Sequence, residues 1–115
     1  MLLNAGRLNV EQLIAGNASG KAFTHIVVGT SGTAETPGDN TITNPVACAI
    51  TLVEYLPGNV VRFWAELADT VPSMIIAEMG LRNADGVLMY RKVKAPTFAH
   101  ALGLTNTLKY SIKVI

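Results

Sequence analysis

The sequence predicts a mainly β fold, an antiparallel β-sandwich or open barrel of about six strands with one short N-terminal helix. Three observations lead there. Short apolar stretches with β-branched or alternating residues recur, the cleanest being Asn59–Ala68. There Val61, Phe63, Ala65 and Leu67 share one face and Arg62, Trp64 and Glu66 the other, the period-two pattern of a half-buried strand. Turn chemistry separates the stretches, as at Pro57-Gly58 and Asn83-Ala84-Asp85-Gly86. A length of 115 residues suits one domain, with a short helix over residues 9–16 and a β domain over residues 23–115.

Asn9-Val10-Glu11-Gln12 has the form of a capping box, with Asn9 as N-cap and Gln12 three residues on. Leu8 and Leu13 stand at the positions of a hydrophobic staple, and Gly16 is placed to end the helix. Gly16–Ala22 is a connector of small residues, and Phe23–Thr30 reads as a strand. Gly29–Asn44 has no periodicity and is rich in Gly, Thr and Pro, which predicts a long surface loop. Loops beyond about 12 residues are uncommon in compact domains and often functional, so this one is the expected place for a partner contact. Pro45–Leu56 gives the next strand, with Cys48, Ile50 and Leu52 on one side.

The segment Met74–Tyr90 predicts a hairpin whose turn is nearly specified. Asn83 begins it, and Gly86 supplies the positive φ of a three-residue loop closed by a bulge. The implied register opposes Asn83 to Val87, Arg82 to Leu88, Leu81 to Met89, Gly80 to Tyr90, Met79 to Arg91 and Glu78 to Lys92. Tyr90 then covers Gly80, and Lys92 pairs with Glu78. On this reading Gly86→Val costs more than Gly80→Ala. Ala95–Asn106 reads as an irregular connection anchored by Phe98 and Leu102. Thr107–Ile115 closes the chain, with Leu108, Tyr110, Ile112 and Val114 on one face and Lys109, Ser111 and Lys113 guarding the other.

Half the residues are hydrophobic, 15% are charged, and mean hydropathy is +0.35. That balance points to apolar surface covered by another subunit. Trp64 between Arg62 and Glu66, together with Thr30, Ser31 and Thr33 in the loop, forms the candidate interface. With a net charge of +1 and no basic block, no nucleic-acid partner is expected. Cys48 stands alone, so no intrachain disulfide forms, and its alternating neighbours predict a buried thiol. No apolar run approaches the ~18 residues of a membrane span, and the first residues lack a signal-peptide pattern, so synthesis and folding in the cytoplasm are expected. No catalytic, metal or cofactor site is expected either. Gly29–Thr33 departs from a nucleophile elbow at Thr33, His25 and His100 lack a spaced ligand set, and Leu81 stands where a calcium loop needs a carboxylate. Glu78 is the one carboxylate inside an apolar strand, and a structural ion pair or a hydrogen bond to backbone is its expected role. The rival functional readings are a carbohydrate- or protein-binding module using residues 29–44, and a small hydrolase or lipid-binding barrel with a pocket near Glu78 or His25.

Three stretches taken together resemble a known family. They are the strand "THIVVGT", the loop ending "TITNPV", and "MIIAEMGLRNADGVLMYR". The combination is similar to the N-terminal domain of phage tail-collar and tail-fibre proteins, whose pattern places Glu, Gly, Leu, Asp and Gly at the positions of Glu78, Gly80, Leu81, Asp85 and Gly86. The resemblance covers the chain from about Phe23 onward. It implies a structural role in attaching a fibre to the tail or baseplate, an oligomer, often a trimer, and location in the virion tail after assembly in the host bacterial cytoplasm. It brings no enzyme activity with it. Family members continue into a long fibre, so the form expected here is a small stand-alone tail component or a prophage remnant.

Overall fold

The computed structural model describes residues 1–114. Six antiparallel strands follow one helix: α1 (Asn4–Ile14), β1 (Phe23–Gly29), β2 (Val46–Leu56), β3 (Val60–Leu67), β4 (Met74–Asn83), β5 (Leu88–His100) and β6 (Asn106–Lys113). They form one sheet in the order β5-β4-β1-β2-β3-β6, curled until it is nearly closed. The two end strands share no ladder. Side chains span the seam between them instead, with the Tyr90 and Tyr110 rings edge to face at 6.2 Å.

The inner surface of the curl is the main core. Ile26, Val28, Phe63, Ile76, Leu81 and Tyr110 meet there, and each large apolar side chain so buried contributes roughly 1.5–3 kcal/mol. Phe23 packs edge-on against both Phe63 and Tyr90, which extends the aromatic row toward the seam. The alternation of β3 places Phe63, Ala65 and Leu67 inside, as expected. Cys48 is buried too, and burial pushes its thiol pKa up.

The helix differs from the sequence reading. It begins at Asn4 and ends at Ile14, and Asn9 lies in its middle rather than at its cap. Leu3 occupies the cap position without a side-chain bond. The helix start is fixed by tertiary contacts instead. Asn4 N–H donates to the Pro37 carbonyl at 2.9 Å, and Leu3 N–H donates to the Met89 carbonyl at 3.0 Å. Asn9 faces inward, donating to the Lys21 carbonyl and accepting from the Lys21 N–H, each at 2.8 Å. Leu8 and Leu13 are exposed and form no staple. Gly16, at φ +70°, ends the helix as expected.

Two other expectations are corrected. β2 carries a bulge between Ile50 and Leu52, which turns Leu52 outward, opposite Trp64, and leaves it exposed. Ala95–Asn106 is not an irregular connection, because β5 runs on to His100 and Met74 opposes His100. Phe98 packs on the core, but Leu102 is exposed in the following turn. The last strand is described to Lys113, and the part of the expectation that falls on Ile115 lies outside the described residues.

Candidate functional site

The hairpin turn has the expected geometry. Gly86 N–H donates to the Asn83 carbonyl at 3.0 Å, Asn83 N–H donates to the Val87 carbonyl at 3.1 Å, and Gly86 sits at φ +78°. The Asn83 side-chain oxygen accepts from both Asp85 N–H and Val87 N–H, which explains why Asn begins this turn. Beyond the turn the register departs from the simple count. Arg82 still opposes Leu88, but an irregularity follows, and Leu81 opposes Tyr90, Gly80 opposes Arg91, Met79 opposes Lys92 and Glu78 opposes Val93. One extra residue on β5 therefore moves the partners of Leu81 through Glu78 by one place, and a second irregularity follows between Glu78 and Ile76. Leu81 itself is in the inner core.

That shift decides what Glu78 meets. It does not pair with Lys92, whose ammonium lies 4.4 Å over the Tyr110 ring. Glu78 is 1% exposed, and its Oε1 accepts from Arg91 Nε at 2.9 Å. Its Oε2 accepts from the backbone N–H groups of Ser31 at 2.7 Å and Thr43 at 3.1 Å, one near each end of the long loop. Arg91, also buried, continues outward, donating from Nη1 to Asp39 Oδ2 at 3.1 Å and from Nη2 to the Thr33 carbonyl at 2.9 Å. Burial opposes the Arg91 charge, yet the Glu78 hydrogen bond and the charges of Glu78 and Asp39 hold its pKa above the usual guanidinium value. Asp39 is held below its usual carboxyl range, first by hydrogen bonds from the Thr36 backbone and hydroxyl and then by Arg91.

This cluster pins residues 29–44 against the outer face of β1 and β4. The loop is not a free surface segment. Ile42 drops from it into a second apolar cluster with Leu3, Val27 and Leu88. Gly80 lies beneath: a Cβ there would come 2.6 Å from the Tyr90 carbonyl oxygen, 2.7 Å from Leu88 Cδ1 and 3.4 Å from Ile42 Cδ1. Leu88 and Ile42, rather than the Tyr90 ring, cover this glycine. Gly86 has open space around it, but at φ +78° a side chain there is strained whatever the space, so the two glycines resist substitution for different reasons. Of the loop residues expected at an interface, Ser31 and Thr33 give backbone groups to the cluster, and the Thr30 hydroxyl accepts from Asn44 Nδ2 at 3.0 Å.

Chemically, the cluster is a closed ion-pair network. Both Glu78 oxygens and all three Arg91 side-chain nitrogens are satisfied from within the chain. Proton transfer needs a group with a free acceptor or donor in reach of a substrate. His100, also buried, is engaged with the Val71 carbonyl at 3.0 Å and the Asn106 side-chain oxygen at 2.5 Å. Among the described residues, no three His, Cys, Asp or Glu side chains are grouped so as to hold a metal ion. No helix of the described residues is long and apolar enough to cross a membrane.

Trp64, Arg62 and Glu66 lie together on the outer face of β3, away from the pinned loop. The Trp64 indole N–H donates to Glu54 Oε1, and the Arg62 guanidinium carbon sits 5.8 Å from the Trp64 ring centroid while Arg62 Nε donates to Ser111 Oγ at 3.0 Å. Trp64 is half-buried, and exposed Leu52 lies opposite it. The sequence grouped this patch with Thr30, Ser31 and Thr33; the sheet order separates them. Sequence reasoning missed Arg91 and Asp39 because nothing in the alternation signals the extra residue on β5. Compared with protein-family models, with curated proteins and with solved structures, the chain finds no match in any of the three.

Proposed function

We propose that this protein is a structural part of a phage or prophage tail, a collar, fibre-attachment or baseplate component that works by self-association and by contacts with other tail proteins. The reading rests on the resemblance of the Glu78-x-Gly80-Leu81 and Asp85-Gly86 pattern to tail-collar and tail-fibre domains. One structural observation supports it: the sheet is covered on one side only. The outer face of β1 and β4 is wrapped by residues 29–44, and the β5 edge by Met1–Leu3 and α1, whereas β2 leaves Leu52 exposed on its outer face and Val53 and Tyr55 exposed on the other. Large exposed apolar surface of this kind marks contact sites. Trp64 and Arg62, stacked on the outer face of β3, are the anchors this reading assigns to a partner.

Light scattering behind a sizing column, run over a concentration series, tests the proposal. A stable oligomer is expected, with a trimer as the favoured size. A clean monomer at every concentration overturns self-association. Because the loop is held by a buried ion pair, a ligand-binding role for residues 29–44 would have to work on a fixed surface.

A further inference from the structure

The hairpin of β2 and β3 runs past the end of the barrel. Tyr55 opposes Val61, and Val53 opposes Phe63, so Val53 and Tyr55 continue the face that lower down forms the core. Among the described residues nothing covers them beyond the barrel mouth. Tyr55 is 85% exposed and Val114 on the neighbouring β6 end is 60% exposed. Beside them the mouth holds an apolar cleft of about 330 Å³, with Phe23, Val61, Phe63, Tyr90 and Ile112 among its walls. Leu2 forms the opposite lip, because Met1–Leu3 closes the β5 edge but stops short of β6. A core-type surface thus passes without a break from the barrel interior, through the cleft, to an uncovered tyrosine.

We infer that a second copy of this chain covers this surface, with the Tyr55 ring of one copy seated in the barrel-mouth cleft of the next. The inference rests on the proposed self-association and names where it occurs. A small apolar ligand in the cleft would leave Tyr55 in water, whereas a second copy covers knob and cleft together. The size fits as well. Tyr55, Val53, Val114 and the half-buried Val61, with the half-buried cleft walls Leu2, Phe23 and Ile112, offer on the order of 500 Å² per copy, within the range of functional apolar patches. Two copies then bury roughly 1,000 Å², the lower bound of a specific interface, so association is expected to depend on concentration.

Sedimentation velocity across a concentration series tests the inference, using the parent chain, Tyr55→Glu, Val114→Glu and, as a control, Ile14→Glu. Tyr55, Val114 and Ile14 are all exposed in the single chain, so each variant is expected to fold with the parent's circular dichroism and Tm. The expected result is association by the parent and by Ile14→Glu, with both mouth variants weakened about tenfold or more. If the parent and the mouth variants associate alike, this contact is wrong while self-association stands. If the parent itself stays monomeric throughout, the proposed function falls together with this contact.

Discussion

The two sides of the sheet solve the same problem differently. On β1, β4 and β5 the chain covers itself. Residues 29–44, Met1–Leu3 and α1 lie over the outer face and edge, held by apolar contacts and by the Glu78–Arg91–Asp39 chain of ion pairs. On β2, β3 and β6 no second layer is seen among the described residues, and Leu52, Val53 and Tyr55 of β2 stay exposed. The first side therefore holds stability and the second holds freedom to interact. Substitutions on the wrapped side should unfold the protein before they alter anything else. Substitutions on the bare side should leave Tm nearly unchanged, since exposed positions away from special features shift stability by about 0.5 kcal/mol or less.

The largest effect is expected where the wrapping is pinned. Glu78→Ala leaves the buried Arg91 guanidinium without its nearest partner and frees two loop N–H groups at once. Removing one member of a buried pair typically costs about 3–5 kcal/mol, which for a domain of this size lowers Tm by roughly 10–20 °C. The double variant Glu78→Met/Arg91→Met should be less damaged than Glu78→Ala, because no charge is then stranded in the interior. Thermal unfolding of both, with Leu52→Lys as the bare-side control, checks the contrast. Equal Tm values for Glu78→Ala and Leu52→Lys would remove the distinction between the two sides.

The division into two sides was not legible in the sequence, although several of the elements that make it were. The turn at Asn83–Gly86 was legible because positive φ and Asn side-chain bonding are local properties. The alternation of β3 was legible because one face is buried along most of its length. The partner of Glu78 was not legible. It depends on one extra residue in β5, and such a residue is accommodated by packing rather than announced by composition. The helix start was misread for a related reason. Asn9 looked like a cap, since Asn caps helices by accepting backbone N–H bonds. Here the same chemistry is spent on the Lys21 backbone, and the Pro37 carbonyl of the long loop receives the N–H at the helix start. The long loop showed no periodicity because its order comes from Glu78, Arg91 and Ile42 seated beneath it. The candidate interface was half legible, since a tryptophan between charges on an outward face is visible, while the bulge that exposes Leu52 beside it is not.

A middle-sized effect separates the two hairpin glycines. Gly80→Ala drives a Cβ into the Tyr90 carbonyl and the Leu88 side chain beneath the pinned loop, and overpacking of that kind costs about 1–3 kcal/mol. Gly86→Val meets no neighbour, but it places a β-branched residue in the left-handed region, a strain of roughly 1–2 kcal/mol. Both should lower the urea midpoint, with Gly80→Ala at least as harmful. A clearly larger loss for Gly86→Val would mean that the covering of Gly80 yields more easily than its close contacts indicate.

The smallest effect is expected at the outer end of the pin, and only in acid. The Asp39 pKa is lowered in the fold from its ordinary value of 3.8, by the Thr36 hydrogen bonds and then by Arg91. A carboxyl whose pKa is depressed by folding binds protons more readily when unfolded. Its contribution is therefore complete above the unfolded value and disappears as pH falls through the lower, folded one. Asp39→Asn should lose some stability at neutral pH, because the amide carries no charge to face Arg91 and its nitrogen, in place of Oδ1, cannot accept from the Thr36 hydroxyl. Below about pH 4 the gap between parent and variant should then narrow as the parent's own carboxyl protonates. Urea midpoints measured from neutral pH down through that window give the answer. Parallel curves for parent and variant would show that Asp39 does not feel Arg91 in solution, and the pin would then end at Arg91 and the Thr33 carbonyl.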